Sequence, residues 1–114
     1  MPRMDEFVKA VRVALEARYP AQRHLFFGHL GDGNLHVATG PHAQAEQLHA
    51  VERLVYEEVA KVGGSISAEH GIGVIKKDYL GLSRSPDELD VMRDLKQLFD
   101  PHGILNRGRI LDPR

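Results

Sequence analysis

The sequence predicts an α+β domain, with a short, mainly antiparallel sheet and helices packed on it. Three observations carry that prediction. Apolar residues recur at helical spacing in three separate stretches, 4–18, 43–61 and 86–99. Between the first two, short alternating segments flank Asp32-Gly33, a strong hairpin signal because a two-residue type I′ turn needs positive φ at both central positions. The resulting order, α-β-β-α-β-(α)-α, sets helices beside a small sheet, and a ferredoxin-like arrangement is one candidate topology.

The chain has 114 residues, enough for one domain with a core of its own. An apolar content of 42% with 27% charged residues is that of a soluble globular protein, not a disordered one. Fifteen basic and sixteen acidic residues nearly balance, so neither nucleic acid nor an anionic membrane is called for as a partner. Cysteine is absent, which excludes disulfides and thiolate ligands and fits a reducing, cytoplasmic compartment. No apolar run approaches the roughly 20 residues of a membrane span, and no signal peptide opens the sequence.

The first helix, 4–18, places Phe7, Val8, Val11 and Leu15 on one stripe, with Asp5, Glu6, Lys9 and Arg12 between them. Tyr19-Pro20 ends it, since a residue before proline avoids the α region. The chain enters this element almost at once, as expected of a part of something longer. Strands follow at 24–29 and 34–39, with alternation placing Leu25 and Phe27 on the face of His29. After Gly40-Pro41, the second helix carries Leu48, Val51, Val55, Val59 and Val62 as a core stripe and ends at Gly63-Gly64. Ser65 to Gly73 opens as a third, short alternating strand and closes in glycines. Lys76-Lys77 is a basic pair, read either as a greeting for an anionic substrate or as solvated charge. Ser85-Pro86-Asp87-Glu88 is a capping box with proline at the first helical position, starting a helix whose Leu89, Met92, Leu95 and Phe99 face inward. The tail 104–111 is apolar at both ends and reads as an extended segment that needs something to pack on. With the first helix, it gives the isolated chain apolar surface that favours self-association.

The chemistry centres on Gly28-His29-Leu30-Gly31-Asp32-Gly33-Asn34-Leu35-His36. With Asp32-Gly33 as a two-residue turn, Gly31 faces Asn34, Leu30 faces Leu35 and His29 faces His36. A direct cross-strand pair has Cβ atoms about 4.5–5.5 Å apart. Two imidazoles so placed can share one ion, because zinc–nitrogen bonds are about 2.0–2.1 Å long. Spacing alone is weak evidence: the chain has seven histidines, and His42 and His49 repeat the interval inside a helical segment. From the residues alone, His29 and His36 are either metal ligands or ordinary half-buried strand residues. Glu69 and His70 are neighbours that point to opposite sides of an extended backbone, which suits one ligand and one base. A surface Glu-His pair at a strand end is the alternative.

Three stretches in register resemble one family: Gly28 to His36, Gly63-Gly64-Ser65-Ile66-Ser67-Ala68-Glu69-His70-Gly71-Ile72-Gly73, and Phe99-Asp100-Pro101-His102-Gly103-Ile104-Leu105-Asn106. Together they resemble the C-terminal part of the FAD-linked oxidases, which include D-lactate dehydrogenases, the flavin subunit of glycolate oxidase and D-2-hydroxyglutarate dehydrogenase. The resemblance implies that 1–114 is the substrate- and metal-binding C-terminal portion of such a flavoprotein, its FAD-binding domain lying outside this chain. It implies a divalent metal, zinc among the candidates, held by His29, His36 and Glu69. It implies His70 as the base that takes the hydroxyl proton of a small 2-hydroxy acid, with hydride passing to FAD. Asn106, in the tail motif, becomes a flavin contact. Two departures stand out. Arg107 replaces a usual proline, and Ala38 stands where the hydroxyglutarate enzyme resembles an asparagine-containing arm, which counts against that substrate. The isolated chain is expected to be inactive in hydride transfer. Two other classes fit the same residues: a non-catalytic α+β module binding a metal or small acid, and a metal-dependent hydrolase using the His-His-Glu set around an activated water.

Overall fold

The computed structural model describes residues 3–29 and 31–112. Helix α1 spans Met4–Arg18, strands β1 and β2 span Arg23–His29 and Asn34–Gly40, and helix α2 spans Ala45–Lys61. A short 3-10 helix, Lys77–Leu82, precedes helix α3, Pro86–Phe99. The architecture is α+β, as the periodicities predict. No helix among the described residues is long and apolar enough to cross a membrane.

Val11 and Leu15, four apart on α1, share one helix face and are both fully buried. They meet Val51 and Leu54 of α2, and Phe26 and Val37 of the hairpin pack against this cluster. Phe26 and Val37 are direct cross-strand partners, so one face of the hairpin carries the helices. Side chains alternate along a strand, so Leu25, Phe27, His29 and His36 project from the other face. Leu25 and Phe27 are both exposed there, which leaves that face open. The stripe predicted on α2 is displaced: Leu54 is buried where Leu48 is exposed.

The far end of the hairpin is tied down by a buried histidine. A carbonyl oxygen only accepts, so His24 Nε2 carries the proton donated to Tyr19 O at 3.1 Å. Its Nδ1 is hydrogen-bonded to the Thr39 hydroxyl at 2.8 Å. The turn at the other end differs from expectation. His29 pairs with Asn34, Gly28 with Leu35 and Phe27 with His36. The strands are therefore joined by a four-residue loop, not by Asp32-Gly33 alone, and the expected Leu30 pairing falls outside the described residues. Asp32 explains the longer loop: its carboxylate accepts the Asn34 N–H at 3.1 Å, building a side-chain turn in place of the tight backbone one. Gly28 is required by the pairing, because a Cβ there would lie 2.1 Å from Asn34 O.

The third strand does not form. Among the described residues the sheet has two strands, and Ser65 to Gly73 is irregular backbone with bends, so they do not complete a ferredoxin-like sheet. Serine side chains take the backbone groups a ladder would use: Ser65 Oγ donates to Ser67 O at 2.9 Å and Ser67 Oγ to Gly71 O at 2.7 Å.

Helix α3 begins as predicted. The Ser85 hydroxyl accepts the Glu88 N–H at 3.2 Å, and the Glu88 carboxylate accepts the Ser85 N–H at 2.7 Å. That bond holds the Glu88 carboxyl below its usual range. The inward stripe, however, finds no cover: α3 has no buried residue, and Phe99 is 77% exposed. Its packing against other elements is slight, as no contact comparable to those joining α1, α2, the hairpin and the 3-10 helix reaches it. The radius of gyration is 16.1 Å, against about 13 Å for a compact domain of this length. With little tertiary support, α3 depends on its cap. Ser85→Ala is expected to remove about 1 kcal/mol of local stability. The loss should appear as faster amide exchange in 88–99 with none in α1; equal exchange in both proteins would show the cap to be idle.

Asp100 closes α3 and is nearly buried. Its carboxylate accepts from Lys96 Nζ at 2.6 Å and from the Ile104 and Leu105 N–H groups at 2.9 Å each. The Lys96 bond first, then the two backbone donors, hold its carboxyl at about 2 against burial, which acts the other way. A depressed carboxyl stabilises the folded state above its ordinary value of 3.8 and loses that contribution as pH falls through about 2. The 100–105 turn is therefore expected to loosen between those two values. Asp100→Asn should abolish the pH dependence of the Leu105 amide resonance in that window.

Candidate active site

Three of the predicted site residues gather on the open face of the hairpin. β2 presents His36, and the Phe27 ring stacks on it with centroids 5.2 Å apart and planes at 22°. The bend after Ser67 brings Glu69 to this face, with Oε1 3.4 Å from His36 Nε2. The same oxygen lies 3.6 Å from His70 Nε2. Glu69 is thus bracketed by two imidazoles whose centroids are 6.2 Å apart. The expectation that Glu69 and His70 point to opposite sides assumed an extended backbone. The backbone bends instead, so both side chains reach one spot. Gly71, with φ of +72°, completes the bend in a conformation that side chains other than glycine's disfavour.

His29 is the exception. The two-residue register shift keeps it on the face of His36 but moves it one diagonal step away, since side-chain direction repeats every two residues. Its Nδ1 lies 3.7 Å from Asp32 Oδ2. The direct His29–His36 pair is replaced by Phe27–His36, because the loop is two residues longer than the tight turn. Among the described residues, no three histidine, aspartate or glutamate side chains stand close enough to hold a metal ion. As donors, His36 and Glu69 suit a divalent cation, and both stay partly open to solvent.

Asn106 lies in the tail, in a left-handed conformation with φ of 45°, and its carbonyl accepts the Arg109 N–H at 3.1 Å. The tail is anchored behind the Glu69–His70 bend: Ile110 N–H donates to Gly73 O at 2.8 Å, and Lys77 Nζ meets Asp112 Oδ1 at 2.6 Å. The basic pair is therefore engaged. Lys77 holds the tail, and Lys76 Nζ donates to Ile66 O at 3.1 Å and to Ser67 Oγ at 3.3 Å. No local pattern marks a lysine as the partner of a serine nine residues upstream, and the sequence reading missed this link. Strand alternation puts Phe27 on the face of His29 but carries no sign that its ring stacks on His36.

The sequence model of the FAD linked oxidases, C-terminal domain, matches residues 1–110, nearly the whole chain and all the residues of this cluster. The chain belongs to that family. Its relatives include the D-2-hydroxyglutarate dehydrogenase of Stutzerimonas stutzeri, 42% identical over 95% of this chain and 25% of that protein. The mitochondrial D-2-hydroxyglutarate dehydrogenase of Bos taurus is 50% identical over 81% of the chain and 17% of that protein. A D-2-hydroxyglutarate–pyruvate transhydrogenase of Saccharomyces cerevisiae is 41% identical over 90% of the chain and 21% of that protein. This FAD-linked oxidase chain spans a quarter or less of these relatives' length. Ala38 faces Leu25 at the opposite end of the hairpin from His29, beyond the Phe27–His36 pair.

Proposed function

We propose that this chain is the substrate-side C-terminal portion of an FAD-dependent D-2-hydroxy acid dehydrogenase, with 2-hydroxyglutarate the first substrate to test. The bracketing of Glu69 by His36 and His70 on an open sheet face carries the reading: it joins a base, a carboxylate and an aromatic-backed imidazole at one accessible spot. Family membership supports FAD as the acceptor. His70 is assigned the hydroxyl proton of the substrate, its ring nitrogen taking H⁺ as the C2 hydride departs and the C–O bond becomes a carbonyl, leaving a 2-oxo acid. Glu69, 3.6 Å from that ring, balances the positive charge His70 gains. Phe27 fixes the plane of His36 by stacking.

FAD, when bound, supplies the hydride acceptor. His36 and Glu69, joined by His29, are assigned a divalent cation, zinc among the candidates; such an ion, when bound, acidifies and orients a substrate hydroxyl. That assignment rests on the donor chemistry of His36 and Glu69, and it requires His29 to leave Asp32. Asn106, carried on the tail anchored at Gly73, is assigned to the flavin side. The exposed apolar stripe of α3 and the tail support a further domain packing there in a complete flavoprotein. A cysteine-free sequence supports a reducing, cytoplasmic location.

The test is a chimera in which this chain replaces the matching C-terminal quarter of the Stutzerimonas stutzeri relative. Bleaching of the bound flavin by D-2-hydroxyglutarate under anaerobic conditions supports the proposal. A folded, flavin-loaded chimera that no D-2-hydroxy acid reduces would overturn it, and small-acid binding retained in that case would favour a binding module.

A further inference from the structure

We propose that Lys76 is the positioning residue of the Glu69–His70 bend and acts through Ser67. The inference rests on the assignment of His70 as base for its catalytic consequence, but its geometry is independent of that assignment.

Four observations converge. Lys76 Nζ donates to Ile66 O at 3.1 Å and to Ser67 Oγ at 3.3 Å. Ser67 Oγ passes its own proton forward to Gly71 O at 2.7 Å. The ammonium thus heads a relay, Lys76 Nζ–H to Ser67 Oγ–H to Gly71 O, in which each bond polarises the next. Glu69 and His70 sit inside the loop that the Ser67–Gly71 bond closes. Among the described residues, no backbone–backbone hydrogen bond secures 68–70 themselves, so the bend depends on the Ser67–Gly71 bond that closes it.

The relay is fixed at its root. Ile66 is 4% exposed, and its N–H donates to Ser83 Oγ at 2.9 Å, at the end of the 3-10 helix. The Lys76 ammonium also lies 5.9 Å from the centroid of Tyr56 on α2, a cation–π placement that attracts the charge to the ring face. The Tyr56 ring is itself held against Tyr79, centroids 5.0 Å apart. Lys76 therefore connects the bend to α2, whose Val51 and Leu54 belong to the main core. A neutral side chain of similar length fills the same space but donates no hydrogen bond. Ser67 then loses the donor that fixes its rotor, and Gly71 O loses a fixed partner. The bend is free to drift, and drift of about 1 Å at a catalytic group costs on the order of 100-fold in rate.

The first experiment measures backbone ¹⁵N order parameters for 68–71 in this chain and in its Lys76→Met and Ser67→Ala variants. Values near 0.85 mark rigid backbone and values below about 0.6 flexible backbone. Both variants are expected to lower the order parameters of 68–71, with those of 8–15 in α1 unchanged. Unchanged values at 68–71 in both variants overturn the brace. Ser67→Ala guards against misreading a folding defect of Lys76→Met, since it removes the relay and leaves the lysine in place.

The second experiment takes the same variants into the flavin-loaded chimera. Lys76→Met is expected to lower kcat by about 10- to 100-fold with KM within twofold, and Lys76→Arg, which keeps a charged donor, to recover most of the rate. Looser order parameters with an unchanged kcat overturn the positioning role, provided His70→Ala lowers turnover by about 100-fold or more in the same chimera. If His70→Ala leaves turnover intact, the assignment of His70 fails, while the order parameters still decide the brace.

Discussion

Replacing His70 by alanine is expected to lower kcat of the flavin-loaded chimera by about 10²- to 10⁴-fold, the range for removing a positioned general base. The expectation follows from geometry. His70 Nε2 faces Glu69, the carboxylate that also faces His36, and the His70 side chain is 73% exposed. An exposed ring supports little of the fold, and surface substitutions away from caps and networks usually cost within about 0.5 kcal/mol. Loss of rate in His70→Ala is therefore separable from loss of structure. KM should change far less than kcat, because the proton is transferred only as the C2 hydride leaves. His49 provides the control. It is similarly exposed and also lies near a glutamate, Glu52 at 3.4 Å, but it stands on α2, away from the cluster. His49→Ala should leave kcat unchanged. Anaerobic stopped-flow bleaching of the flavin reads both variants directly, and equal rates for the two would remove His70 from the mechanism.

The contrast between His70 and His29 shows what the sequence could and could not reveal. Alternation along the strands correctly put Leu25, Phe27, His29 and His36 on one face, because side-chain direction depends only on parity. The pairing register was wrong by two residues, an error that parity cannot detect. Its cause is one side chain: Asp32 turns back to the Asn34 N–H and lengthens the loop. Helix limits were legible, since capping chemistry and periodicity are local, and Ser85 and Glu88 form the reciprocal bonds their spacing predicts. The strand expected at Ser65 was not, because alternation cannot show that Ser65 and Ser67 will capture the neighbouring backbone. Amphipathicity also overstates burial. The α3 stripe marks a face suited to cover, yet nothing in the periodicity tells whether the cover belongs to this chain. The link from Lys76 to Ser67 is the hardest case, as it depends on a bend whose shape is itself set by the link.

Leu15→Ala is expected to have the largest effect on stability. Leu15 and Val11 are the largest fully buried side chains among the described residues, and the buried apolar set numbers only six: Val11, Leu15, Val51, Leu54, Ile66 and Leu80. A buried leucine truncated to alanine costs about 2–5 kcal/mol, more where the cavity cannot collapse. Ordinary domains are stable by about 5–15 kcal/mol in total, and a core this small belongs at the lower end. Leu15 sits where α1, α2 and the hairpin meet, so the loss reaches β2 and with it His36. The urea midpoint should fall sharply with the slope unchanged, since the surface exposed on unfolding is nearly the same. Leu98→Ala makes the comparison decisive. Leu98 is equally large but 72% exposed on α3, and its truncation should shift stability by no more than about 0.5 kcal/mol. Comparable losses in the two variants would mean that the α3 face is already covered in solution, by a second copy of the chain, and a midpoint rising with protein concentration would identify that copy. A large loss at Leu15 with none at Leu98 places the stabilising core between α1, α2 and the hairpin, directly behind the face that carries His36.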